Sequence, residues 1–115
     1  MYIVSLKKLE KTVPQMDGVK GVYKQTPLSK NNGAPNFSFR VFTIEPGGHT
    51  PFHKHPFEHM NYIMEGQGIM VSDTQETLIK RDDFAYVEPN VMHQFKNPSK
   101  DTDFVFICAV PIEYE

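Results

Sequence analysis

The sequence predicts an all-β fold, a sandwich or a barrel, on three observations. Short runs rich in β-branched and aromatic residues recur at close intervals. Dense turn signals separate them, at "NNGAPN" (31–36), "EPGG" (45–48), "EGQG" (65–68), "EPN" (88–90) and "NPSKD" (97–101). Prolines at 51, 56 and 89 argue against long helices in the middle of the chain. Many short strands with regular punctuation are the pattern of closed or two-layered β architectures.

Taken in order, "MYIV" (1–4) reads as a short edge strand, safer paired with a second subunit than left bare. "SLKKLEKTV" (5–13) suits one helical turn or a strand end, and residues 6–30 give no clear period. The strand runs follow: "FSFRVFTI" (37–44), "MNYIM" (60–64), "IMVS" (69–72), "ETLIK" (76–80), "FAYV" (84–87), "HQFK" (93–96) and "DFVFICAVPI" (103–112). At 115 residues the chain has room for one core, so residues 1–115 are expected to form a single domain.

A formal net charge of −2 gives neither a nucleic-acid groove nor a polybasic membrane patch. The start lacks a long apolar stretch and a small-residue cleavage site, so no leader and no membrane span are expected, and a cytoplasmic address follows by default. The single Cys108 cannot form an internal disulfide; it lies in an apolar run, where a buried inert thiol is expected.

Four of the five histidines fall within "HTPFHKHPFEHM" (49–60), and the fifth is His93. On a strand, His53 and His55 would share a face about 6.6 Å apart along the backbone, close enough for both rings to reach one ion. His59, four residues on, keeps that parity, whereas Glu58 has the opposite one. His93 comes from a later segment that a closed barrel can bring alongside. "HPFEH" (55–59) also fits the H-x-x-E-H pattern of inverted zinc peptidases. That pattern needs one helical face, and Pro56 leaves His55 outside any helix. The metal set is therefore His53, His55, His59 and His93. Imidazole ligands suit Zn, Cu, Fe or Ni and exclude an all-oxygen Mg or Ca site.

The same residues resemble the cupin superfamily. In its first motif a Gly is followed by five residues, H-x-H, a ligand three or four residues later and a Gly six beyond. Here these are Gly47, His53, His55, His59 and Gly66, with His59 where the family usually has Glu. For the second motif, Asp82 stands for a Gly, Glu88 for a Pro and Asn90 for a Gly, followed by His93 and Asn97. The motifs occupy 47–66 and 82–97. The resemblance implies a double-stranded β-helix, or jelly-roll, barrel with one divalent metal, commonly as a homodimer. Chemistry within this superfamily ranges over oxidation, isomerisation, decarboxylation and simple binding.

Four neutral imidazoles would leave an ion's full +2 charge on the site, against about +1 with one Glu. An anionic small-molecule substrate follows. A metal-dependent enzyme is expected, with dioxygenase-like oxidation or C–C cleavage ahead of isomerase or decarboxylase chemistry. A non-catalytic metal- or small-molecule-binding module is the alternative, and a barrel with remnant histidines a third. Phe95 shares a face with His93, and Ile63 with His59, so both are expected to line the pocket. His49 is expected to be a structural turn residue and Glu58 a surface or outer partner. Arg40 is expected to be exposed, and would be an anion anchor only if it pointed inward.

Overall fold

The computed structural model describes residues 1–115. Eight strands form it: β1 Lys20–Leu28, β2 Phe37–His49, β3 His59–Glu65, β4 Gln67–Ser72, β5 Glu76–Lys80, β6 Phe84–Val87, β7 His93–Lys96 and β8 Phe104–Pro111. Single 3-10 turns at Leu6–Lys8, Lys30–Asn32 and Ile112–Tyr114 are the only helical elements. All strand pairs are antiparallel, in the order β5-β4-β7-β2-β8-β3-β6, with β1 added to β2. The sheet curls on itself, giving the all-β architecture that the sequence predicts.

Alternation decides which side chains point inward. Along β2, Ser38, Arg40 and Ile44 are buried at even positions, while Phe37 and Phe39 are exposed. Along β8, Phe104, Phe106, Cys108 and Val110 face the interior. They build the core with Val22, Ile44, Ile63, Ile79 and Phe95. Phe106 is the aromatic hub. Its ring stacks on Phe95 at 4.4 Å and on Phe42 at 5.5 Å between centroids.

The strand runs from residue 37 onward all form, but β1 is a strand the sequence reading missed. Its register with β2 shifts between Lys20 and Val22 and again between Gln25 and Leu28, around Gly21 and Pro27. Two shifts erase the period of two that would reveal a strand. Pro27 has no N–H to donate, and β2 is the one strand that β1 pairs with, apart from a single bridge between Lys24 and Thr12. The expected edge strand at residues 1–4 does not form, and the segment is irregular. The 3-10 turn at Leu6–Lys8 matches the expected helical turn.

All four glycine positions of the two motifs have left-handed backbone. Gly47 has φ 78° and Gly66 72°; Asp82 and Asn90, which replace glycines, have φ 75° and 66°. These two are the chain's only non-glycine residues with positive φ. Gly66 is required for a second reason, since a Cβ there would collide with the Asp103 carbonyl oxygen. Asn97, 1% exposed, ends the second motif. Its side-chain amide donates to the carbonyls of Ile44 and Thr102, both at 2.8 Å, tying the end of β7 to β2.

Candidate metal centre

The histidines converge, though not by the expected route. Residues 50–58 form a loop rather than a strand, because Pro51 and Pro56 lack N–H groups. One isolated bridge holds that loop to β7. His53 N–H donates to the His93 carbonyl at 3.1 Å, and His93 N–H donates back at 2.9 Å. A further bond, from Asn90 N–H to the His55 carbonyl at 2.7 Å, fixes the loop past the H-x-H. This bond depends on the turn at Asn90, so the second motif positions the first.

His53, His55 and His93 present ligating nitrogens within 4.8 Å of one another. Each has its Nδ1 beside a backbone carbonyl two residues away: Pro51 at 3.0 Å, Phe57 at 2.7 Å and Val91 at 2.8 Å, respectively. A carbonyl only accepts, so each Nδ1 carries the proton and each Nε2 keeps its lone pair. The Nε2 atoms of His55 and His93 are buried without a hydrogen-bond partner. Three imidazoles with preset tautomers and unused Nε2 lone pairs are the donor set of a transition-metal site, and the residues fit such an ion.

His59 stands beside this trio, its ring centroid 4.3 Å from that of His55 and 5.2 Å from that of His93. It is placed by the first residue of β3, opposite Val87 on β6. Its Nε2 lies 3.5 Å from Arg40 Nη2, and its Nδ1 is buried without a partner. Burial, reinforced by the Arg40 guanidinium, pushes its pKa down to about 2. Burial also lowers His55 and His93; for His55 the nearby His53 and Arg40 add to the effect, while the Phe57 carbonyl opposes it. These rings are therefore neutral at pH 7, as ligation requires.

The cluster opens onto a cavity of about 380 Å³. Phe42, Phe57, Phe95 and Phe106 supply its aromatic wall, and Met16, Val19 and Val22 close one side. Phe95 thus lines the pocket. Ile63 does not: it is fully buried in the core opposite Phe106, and Phe106 reaches the cavity instead. His49 lies outside the cavity, its Nδ1 3.2 Å from the Thr50 carbonyl oxygen. Glu58 is half-buried and outside it as well. Arg40 corrects an expectation. It lines the cavity at 8% exposure because its even position on β2 turns it inward with Ser38 and Ile44.

Four contributors are not marked in the sequence: Phe57, Tyr114, Val19 and Val22. Phe57 stacks on His55 and also on Tyr114 from the C-terminal turn. Val19 and Val22 come from the stretch with no clear period. The flanking "HPF" could have marked Phe57, since an aromatic beside a ligand is often its support; nothing local marks Tyr114.

A small curled antiparallel sheet with three histidines positioned to bind a metal beside an apolar cavity defines the class. The chain belongs to the cupin superfamily: the cupin domain family (Cupin_2) matches residues 40–110. Over 69 residues it is 32% identical to an uncharacterised protein of Methanocaldococcus jannaschii, covering 59% of this chain and 55% of that one. The matched stretch thus spans about half the length of that relative. Among solved structures, the polyketide cyclase RemF of Streptomyces resistomycificus superposes with a TM-score of 0.93 at 21% identity, over 97% of this chain and 80% of that one. A predicted oxalate decarboxylase of Thermotoga maritima gives 0.83 at 23% identity, over 96% and 99%. A sugar phosphate isomerase of Silicibacter pomeroyi gives 0.80 at 18% identity, over 95% and 75%. At these identities the likeness is one of fold, and the three activities differ from one another.

Proposed function

We propose that the chain is a mononuclear metal-dependent cupin acting on a small organic substrate. His53, His55 and His93 would hold one divalent transition metal, manganese, iron, nickel, copper or zinc, through Nε2, with His59 as the fourth ligand. The observation that carries this reading is the set of three Nδ1–carbonyl hydrogen bonds, which leave three Nε2 lone pairs directed to one place. The neutral His59 beside them, its Nδ1 without a partner, supports a fourth position. A bound ion supplies Lewis acidity or, if redox-active, activation of dioxygen.

The chain's own residues limit the chemistry. Phe42, Phe57, Phe95 and Phe106 exclude water and pack an apolar substrate body. No Asp, Glu or Tyr lines the cavity, so no carboxylate or phenol stands ready to carry a proton between substrate carbons. This favours oxidation or C–C cleavage over isomerisation. The absence of a carboxylate or phenol also suits a binding module without turnover, which is the second reading. Elemental analysis of protein purified without added metal tests the site: close to one equivalent per chain is expected, falling sharply in His55→Ala. Wild-type protein without metal, or unchanged stoichiometry in the variant, overturns the assignment.

We also propose a homodimer. Phe39, Ala109, Met60 and Tyr86 are successive register partners across the outer face of β2, β8, β3 and β6, and all but Ala109 are large exposed side chains. A second copy of the same patch is a self-complementary cover.

A further inference from the structure

Arg40 is the only charged side chain buried in the cavity wall. Its guanidinium lies 5.1 Å from the centroid of Phe42. Nη2 donates to Cys108 Sγ at 3.0 Å and approaches His59 Nε2 at 3.5 Å; Nε is buried with no partner. The chain's one salt bridge joins Lys96 and Glu76, so no carboxylate neutralises this guanidinium. Arginine stays charged at any working pH. A buried charge with unused donors and no counterion is unfavourable unless something supplies the anion. Neither the sulfur of a neutral thiol nor the nitrogen of a neutral imidazole can.

The rest of the wall describes what the anion is attached to. Phe42, Phe57, Phe95 and Phe106 make the wall aromatic, and the volume falls in the usual range for small-molecule sites. A flat, apolar body fits such walls, and an ionised oxygen at its end meets the guanidinium through charge-assisted hydrogen bonds.

We propose that Arg40 is the anion anchor of this cavity, and that its ligand is a flat aromatic or conjugated acid, a carboxylate or enolate. Calling that ligand the substrate rests on the proposed function; the binding itself needs only Arg40 and the aromatic wall.

Calorimetric titration with 2-naphthoate and with 2-naphthamide, its uncharged counterpart of the same shape, tests this. The purified protein is used as isolated and again after chelator treatment, with metal content measured in each sample. Wild type is expected to prefer the naphthoate by on the order of tenfold in both. Arg40→Gln is expected to lose that preference while still binding the amide, and Arg40→Lys to keep part of it. Undetectable binding of naphthoate, equal affinity for the two probes, or a preference that survives Arg40→Gln would overturn the proposal. If Arg40→Gln fails to fold, the wild-type pair and Arg40→Lys decide by the same criteria. An Arg40-dependent preference in protein that never holds metal supports the anchor while removing the metal reading. Full metal content without that preference removes the anchor alone.

Discussion

His55 and Phe57 lie face to face, their ring centroids 3.9 Å apart and their planes 10° from parallel. Phe57 lies in turn on Tyr114, at 4.2 Å and 11°. The imidazole is thus held by the Phe57 carbonyl at its edge and the Phe57 ring on its face. One residue fixes both the proton position and the orientation of a ligand it does not replace.

Phe57→Ala is therefore expected to weaken metal binding with all histidines in place. The typical loss for a side chain that orients a ligand is about 10- to 100-fold in affinity. Tyr114→Ala, one layer further out, is expected to lose less. Competition titration of zinc against a chromophoric chelator measures both.

His59 decides between three and four ligands. His59→Ala is expected to hold metal more loosely than wild type yet more firmly than His93→Ala, which removes a member of the convergent trio. Wild-type zinc affinity in His59→Ala would restrict the set to three.

Acid should act on the metal-free fold as well. His59, pushed down to about 2, and the lowered His55 and His93 stay neutral in the folded chain while their unfolded counterparts take up protons below about pH 6.5. Their stability contribution is full above that value and is lost as pH falls towards the folded pKa. For His59 the slope approaches about 1.4 kcal/mol per pH unit. Urea unfolding of chelator-treated protein at pH 7.5, 5.5 and 4.5 should show this decline, and His59→Gln should flatten it. Metal should leave over the same acidic range, since protonated imidazole cannot ligate.

Asn90 sits in left-handed backbone, and its N–H ties down His55. Asn90→Gly is expected to change thermal stability little. Asn90→Val, β-branched at positive φ, is expected to cost about 1–3 kcal/mol and to reduce zinc affinity through the loosened loop. Unaltered melting of the valine variant would contradict that backbone role.

Sedimentation analysis addresses the outer face. Wild type is expected as a dimer, and the double variant Met60→Glu, Tyr86→Glu as a monomer with unchanged secondary structure. A monomeric wild type at micromolar concentration would count against the pairing.

Much of this was legible in the residues themselves. The strand runs from Phe37 onward were marked by β-branched and aromatic residues between turn signals, and along β3 alternation adds to the signal: His59, Asn61 and Ile63 are buried and Met60 is exposed. Asp82 and Asn90 could be aligned with glycines because Asp and Asn are the residues that best tolerate the left-handed region. β1 was hidden by its two register shifts. Arg40 turns inward against the usual preference of a charged side chain for solvent, because the sheet's pleat sets its direction. The histidine cluster was visible as composition, but its geometry was not. A loop pinned at one bridge replaced the expected strand, and local spacing carries no mark of that long-range contact. Ile63 shows the limit of parity, which tells inside from outside but not core from cavity.

The reciprocal backbone bonds between His53 and His93 make the amide protons of those two residues local reporters. Their exchange with heavy water would track how often the loop lifts from β7, without any probe attached. Slow exchange confined to this pair would measure how firmly the loop is held against β7.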